Sequence, residues 1–217
     1  MAKRIFVTAT NTDIGKTYTT KLLLKEFASR GLKVGVIKPI ETGVVDYPAD
    51  GEELLECVKE LNPKLWSLEV EDIVPITYAL PAAPYVASGN TPLDIGKILL
   101  KLEELENSCD IVIIEGAGGL YVPIDEKYMM IDLISKLDAV ALLVTHCSLG
   151  CINDTLLSKK ALEGNNIPFA IAFNCKDSEK SFAETSEPYF LKTGQKVLKI
   201  ARDIDIICDV LYNLPNR

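Results

Sequence analysis

Thr8-Ala9-Thr10-Asn11-Thr12-Asp13-Ile14-Gly15-Lys16-Thr17 stands between an apolar run, Ile5-Phe6-Val7, and a segment from Tyr18 to Ser29 that reads as a helix. Strand, small-residue loop, Gly-Lys-Thr and helix is the layout of a phosphate-binding P-loop. Successive backbone N–H groups form a concave nest, and the helix N-terminus adds partial positive charge. Lys16 can reach terminal phosphate oxygens, and the Thr17 hydroxyl is placed to ligate Mg²⁺. The strict pattern, Gly-x4-Gly-Lys-Ser/Thr, asks for Gly at position 10, where this chain has Thr10.

Working outward, apolar runs rich in β-branched residues recur at 4–8, 33–37, 110–114, 139–145 and 168–173, with a weaker one at 204–210. Most are continuous rather than alternating, as expected of parallel strands buried on both faces. Helical patterns fall between them at 16–30, 51–61, 93–106, 153–164 and 188–200, with Gly31 and Gly164 where C-terminal caps belong. The alternation predicts a P-loop NTPase-like α/β fold: a doubly wound, mostly parallel sheet with helices on both faces and ligands outside the carboxyl ends of the strands. No repeat or linker divides the chain, so residues 1–217 are expected to form one domain.

A length of 217 residues with 48% hydrophobic content is enough for a sizeable core. The net charge of −8, without a long basic run, argues against nucleic acid as the main ligand. No window approaches a membrane span, and the first residues lack the apolar run of a signal peptide. The chain therefore reads as cytoplasmic, with its six cysteines reduced. His146, Cys147 and Cys151 have no second Cys/His pair to complete a zinc site, and a buried strand end is the preferred reading there.

The fold places chemistry just after each strand. Lys38-Pro39-Ile40-Glu41-Thr42-Gly43 follows the second apolar run, and Lys38 shares the P-loop rim. An isolated lysine there would snorkel to solvent, but Pro39, Thr42 and Gly43 beside it favour a site. A second cation near Lys16 suits a reaction that builds negative charge during phosphoryl transfer. Asp46 and Asp50 precede a helix that either could cap; alternatively one of them ligates Mg²⁺. Glu115-Gly116-Ala117-Gly118-Gly119 puts a carboxylate at the end of a buried strand, where P-loop proteins hold Mg²⁺, followed by small residues that admit a ligand. Gly150, Cys151, Ile152 and Asn153 open a helix whose free N–H groups could take a substrate carboxylate, or Ser148 or Asn153 simply caps it. Asn174 offers a donor and an acceptor to a nucleobase edge, or forms a turn.

With these pieces in order, the chain resembles the dethiobiotin synthetase family from the N-terminus to about Asn174. The motifs that carry the resemblance are residues 8–17, 38–43, 115–119 and 149–153. It implies a homodimer that closes a cyclic urea on 7,8-diaminopelargonic acid with CO₂, ATP and Mg²⁺. Lys16 and Lys38 would be catalytic. Asp13, Ile14, Gly15, Lys16, Thr17, Tyr18, Asp50, Glu115, Gly116, Ala117, Gly118 and Asn174 would bind nucleotide, with Thr17, Asp50 and Glu115 on the metal. Thr12, Lys38 and Thr42 would contact the diamine, and Gly150 to Asn153 its carboxylate across the dimer interface. Three features depart from the family: Ala9 for the usual Gly, Asp13 where many members carry Glu, and no Gly-x-Ile-Pro stretch after Asn174 to complete the base pocket. The last predicts weak discrimination between ATP and other nucleoside triphosphates. The rival from another class is a nucleotide-switched, partner-binding ATPase of the partition or cell-division kind. Those carry an extra lysine early in the P-loop, where this chain has Thr10, Asn11 and Thr12.

Overall fold

The computed structural model describes residues 2–175 and 179–215. Its strands are β1 (Lys3–Ala9), β2 (Val34–Ile37), β3 (Ile40–Thr42), β4 (Ile76–Tyr78), β5 (Ile111–Gly119), β6 (Val140–His146) and β7 (Phe169–Asn174). Its α-helices are α1 (Lys16–Ser29), α2 (Ala49–Leu61), α3 (Val70–Ile73), α4 (Pro84–Ala87), α5 (Ile95–Glu106), α6 (Met130–Lys136), α7 (Cys151–Gly164), α8 (Glu179–Thr185), α9 (Glu187–Lys192) and α10 (Ile204–Asn213). Five strands make a parallel sheet in the order β2-β5-β1-β6-β7, and β3 pairs with β4 in a separate parallel ribbon. The continuous apolar runs are explained by position: Ile5 to Val7 in β1 and Ile111 to Ile114 in β5 are fully buried, covered on both faces.

Because the sheet is parallel, the ends of β1, β2 and β5 open at one rim, which is where the P-loop stands. β1 and β5 stay in register from Lys3↔Ile111 to Val7↔Glu115, then jump to Ala9↔Gly119. The irregularity falls on Gly116-Ala117-Gly118 and bends β5 past the end of β1. Only glycine fits at 116, since a Cβ there would lie 2.6 Å from the Phe6 ring.

Several expectations are corrected. Residues 204–210 are not a strand but lie within α10, whose buried Ile207, Cys208 and Leu211 repeat at helical spacing. The helix expected over 188–200 ends at Lys192, and Gly194 turns with φ 75°. Phe173 N–H then donates to Leu198 O at 2.7 Å and Ile200 N–H to Phe173 O at 3.0 Å, so residues 198–200 run beside β7. Gly31 follows the end of α1 with φ 82° as expected, but Gly164 remains helical and Asn166 takes the left-handed turn at φ 53°. Helices α2 and α7 begin two residues earlier than read, at Ala49 and Cys151, and α5 two later, at Ile95. The β3–β4 ribbon, α3, α4, α6 and α8 had no counterpart in the sequence reading.

The reading of all six cysteines as reduced is also corrected. Cys147 and Cys175 form a disulfide across 28 residues. The cause is register: His146 pairs with Asn174 at the ends of β6 and β7, so the next residues of both strands are neighbours. Cys57, Cys109, Cys151 and Cys208 are free and buried.

Phe173, Phe182 and Phe190 fill one end of the core, with the Phe173 centroid 5.2 and 4.9 Å from the other two. At the opposite end of the strands, Lys3 Nζ donates to the Leu214 carbonyl, and Arg30 holds Asp209 at 2.6 Å, fastening α10 to α1. No helix among the described residues is long and apolar enough to cross a membrane.

Candidate active site at the P-loop

The loop between β1 and α1 is built around Gly15, the residue before the helix, at φ 95°. Its carbonyl accepts from Thr19 N–H at 3.0 Å and Thr19 Oγ1 at 2.8 Å, starting the first turn. Asn174 Nδ2 donates to Ile14 O at 2.8 Å, and a Cβ at position 15 would sit 2.3 Å from that nitrogen. The left-handed backbone and the close approach of Asn174 both exclude a side chain there. Asn174 thus spends one amide N–H on the P-loop, and its side chain carries a second N–H as well as Oδ1. The first turn of α1 contains no acidic residue, so its exposed N–H groups keep their pull on an anion.

Glu115, fully buried at the end of β5, is the hub of the site. Oε1 accepts from Thr17 Oγ1 at 2.8 Å and from Lys38 Nζ at 2.8 Å, while Oε2 accepts from Thr20 Oγ1 at 2.7 Å. Lys38 also donates to Asp50 Oδ2 at 2.6 Å. Burial pulls the Lys38 ammonium toward neutrality, but the carboxylates of Glu115 and Asp50 outweigh it, and its pKa lies above the ordinary lysine value. Lys16 goes the other way: burial lowers its pKa, and the attraction of Glu115 is partly cancelled by the positive Lys38. The two lysines are thus kept distinct by their surroundings.

The donor set of Thr17, Asp50 and Glu115 fits Mg²⁺. It consists of hard oxygens, two of them carboxylate, and Mg²⁺ commonly takes one or two carboxylates while keeping waters and phosphate oxygens for its other positions. The Lys38 ammonium seated between both carboxylates marks the spot where this geometry favours positive charge.

A cavity of about 830 Å³ opens here, lined by Thr12, Asp13, Gly15, Lys16, Thr17, Tyr18, Lys38, Thr42, Asp50, Glu115, Gly116, Ala117 and Gly118. Ile14 and Asn174 border an adjoining cavity of about 340 Å³ with His146, Ser148 and the disulfide. Gly150, Cys151, Ile152 and Asn153 line neither; they stand at the start of α7, with Gly150 at φ 99°. Beside them His146 is held between Ser148 Oγ at 2.7 Å and Asp154 Oδ2 at 3.0 Å. Asp46 is exposed and borders neither cavity, which separates it from Asp50.

Neither aspartate caps α2: the cap position is Pro48, without a side-chain bond. That task falls to Glu41, whose Oε1 accepts from Asp50 N–H at 3.1 Å and Oε2 from Gly51 N–H at 3.0 Å. Glu41 and Thr20 were missed as site residues. Thr20 carries a signal, lying one turn after Thr17 on the same helix face. Glu41 carries none, because its partners are backbone N–H groups of α2, nine and ten residues on. The cavity wall from Pro81 to Pro84 was likewise unread.

A family model described as an AAA domain matches residues 3–213. The ATP-dependent dethiobiotin synthetase BioD of Sulfurovum sp. (strain NBC37-1) is 47% identical over 86% of this chain and 89% of its own. The protein of the same name from Wolinella succinogenes is 35% identical over 97% of this chain and 99% of its own. Among solved structures, a plasmid partition protein from Borrelia burgdorferi covers 98% of this chain and 99% of its own, with a TM-score of 0.61 and 12% identity. That likeness is one of fold alone.

Proposed function

Since the chain belongs to the family of ATP-dependent dethiobiotin synthetases, ligases that form C–N bonds in biotin biosynthesis, we propose that the cavity between the P-loop and Lys38 performs the ring closure on 7,8-diaminopelargonic acid. The observation that carries this reading is the buried Lys38, placed with Lys16 on the wall of one cavity large enough for a nucleotide and a small substrate.

One substrate amine takes up CO₂ and loses a proton, giving a carbamate. A carbamate oxygen attacks the γ-phosphorus of ATP, and ADP leaves. The second amine then attacks the carbonyl carbon of the mixed anhydride, phosphate departs, the nitrogen gives up a proton to solvent, and the cyclic urea of dethiobiotin is complete. Lys38 holds the carbamate and Lys16 the transferring phosphoryl group, so their charges meet the charge that develops. The backbone from Asp13 to Tyr18 cradles the phosphates, and Gly116, Ala117 and Gly118 let the nucleotide approach the bent end of β5. Mg²⁺, held by Thr17, Asp50 and Glu115, would screen the triphosphate and withdraw charge from it. Thr12 and Thr42 contact the diamine. Since no nucleophilic side chain is called for, the enzyme's contribution is positioning and electrostatics.

Gly150 to Asn153 lie outside the cavity of their own chain, which supports their serving a partner: the substrate carboxylate would be bound at the start of α7 of a second copy. Leu149 at 88% exposure, Leu157 at 61% and Tyr121 at 65% give the surface beside α7 the apolar character of such a contact. In this reading residues 1–217 act as one P-loop domain, as a homodimer in the cytoplasm.

The test is phosphate release from MgATP with bicarbonate, with and without 7,8-diaminopelargonate, in wild type and Lys38→Ala. The expected result is diamine-dependent release that the variant loses. Slow release indifferent to the diamine would refute the assignment of substrate to this cavity.

A further inference from the structure

We infer that Glu41 is a positioning residue for the metal site, acting by capping from outside the helix that presents Asp50. The inference rests on the reading of Asp50 as a Mg²⁺ ligand and adds a residue to which no catalytic or binding role is otherwise given.

Helix α2 begins without a cap of its own. Pro48 stands at the cap position, and no side chain of the preceding loop accepts from the first turn. The first N–H groups of a helix have no partner within it and must be satisfied from elsewhere. Glu41 reaches over from β3 and takes Asp50 N–H and Gly51 N–H on separate oxygens, at 3.1 and 3.0 Å. Its own place is fixed, because β3 is paired with β4 through Glu41↔Thr77, and its side chain is buried. The backbone nitrogen that Glu41 grips belongs to the residue whose carboxylate meets Lys38 at 2.6 Å. A shift of Glu41 therefore moves Asp50 directly.

Gly51 makes the close approach of this corner feasible. A Cβ there would lie 2.3 Å from Val74 Cγ2 and 3.3 Å from Glu41 Oε2. The start of α2 is thus clamped between Val74 and the Glu41 carboxylate. Asp50 is half exposed and has Lys38 as its side-chain partner, so the backbone clamp, more than packing, sets where its carboxylate points.

The experiment is titration of Mn²⁺ into the protein saturated with a non-hydrolysable ATP analogue, read by electron paramagnetic resonance, for wild type, Glu41→Ala, Glu41→Gln and Asp50→Asn. Outer-shell partners of metal ligands typically change affinity by about 10–100-fold. Glu41→Ala is expected to raise the half-saturating Mn²⁺ concentration about tenfold, while affinity for the metal-free analogue stays within about twofold. Glu41→Gln keeps one of the two acceptor oxygens and is expected to fall between, raising the half-saturating concentration about threefold; should the alanine protein not fold, wild-type Mn²⁺ binding by Glu41→Gln refutes the positioning role. Asp50→Asn is the reference. If it weakens Mn²⁺ binding while both Glu41 variants bind as wild type, the positioning role is wrong. If Asp50→Asn itself binds Mn²⁺ normally, Asp50 is no ligand and both readings fall.

Discussion

Replacing Lys38 by methionine tests the balance on which the site rests. Methionine preserves length and apolar bulk but removes the charge between Glu115 and Asp50. The two contacts do not count equally. The Asp50 side chain is 49% exposed, so water replaces most of what that contact supplies, whereas Glu115 is fully buried and has no such recourse. Removing one partner of a buried pair costs about 3–5 kcal/mol, because the other charge is left uncompensated. Glu115 keeps the hydroxyls of Thr17 and Thr20, so the lower end, about 3 kcal/mol, is the expected loss. For a chain of this size that lowers Tm by roughly 6–12 °C. The assay is urea unfolding of Lys38→Met, Glu115→Gln and the double variant. In the double variant the stranded charge is gone, so it should recover at least about half of the loss, with an interaction energy of about 1.5 kcal/mol or more, yet remain inactive with the diamine. A Lys38→Met protein within about 0.5 kcal/mol of wild type would refute the claim that Glu115 depends on this lysine.

With no Gly-x-Ile-Pro stretch after Asn174 to complete the base pocket, ATP should be preferred over GTP by less than about a hundredfold in kcat/KM, and a larger preference would contradict this. Peptide mapping without reductant should recover Cys147 and Cys175 in one linked species. In the same native protein at pH 8, Cys109 and Cys208, pushed up by burial to about 11 and about 12, should resist iodoacetamide, and prompt labelling of Cys208 would refute that. The hydrogen bond from His146 holds the Asp154 carboxyl below its ordinary pKa. A lowered carboxylate pKa contributes stability that is present above the unfolded value and lost as pH falls through the folded one. Asp154→Asn should therefore lose less stability than wild type as pH drops below about 4, and parallel acid limbs would show that the bond contributes nothing.

The parts of this architecture that are encoded locally were legible in the sequence. Gly15-Lys16-Thr17 after an apolar strand, Glu115 at the end of another and Lys38 after a third identify the rim, because each depends on its immediate neighbours and on one rule about parallel sheets. Residues 204–210 misled because Ile204, Ile206, Ile207 and Val210 look like a strand, although burial at 207, 208 and 211 follows a helical repeat. The three-residue strands β3 and β4 are too short for any periodicity to register. Glu41 and the Cys147–Cys175 pair were hidden for a different reason. Both act across space, the one over the ribbon to α2 and the other between adjacent strand ends, and neither partner announces the other along the chain.

The bond between Lys3 and the Leu214 carbonyl has a practical side. It brings residues 3 and 214 together where β1 starts, at the pole of the sheet opposite the P-loop. A tag, a fluorophore or a surface tether attached near either residue stands on the far side from the nucleotide, leaving the mouth of the cavity open.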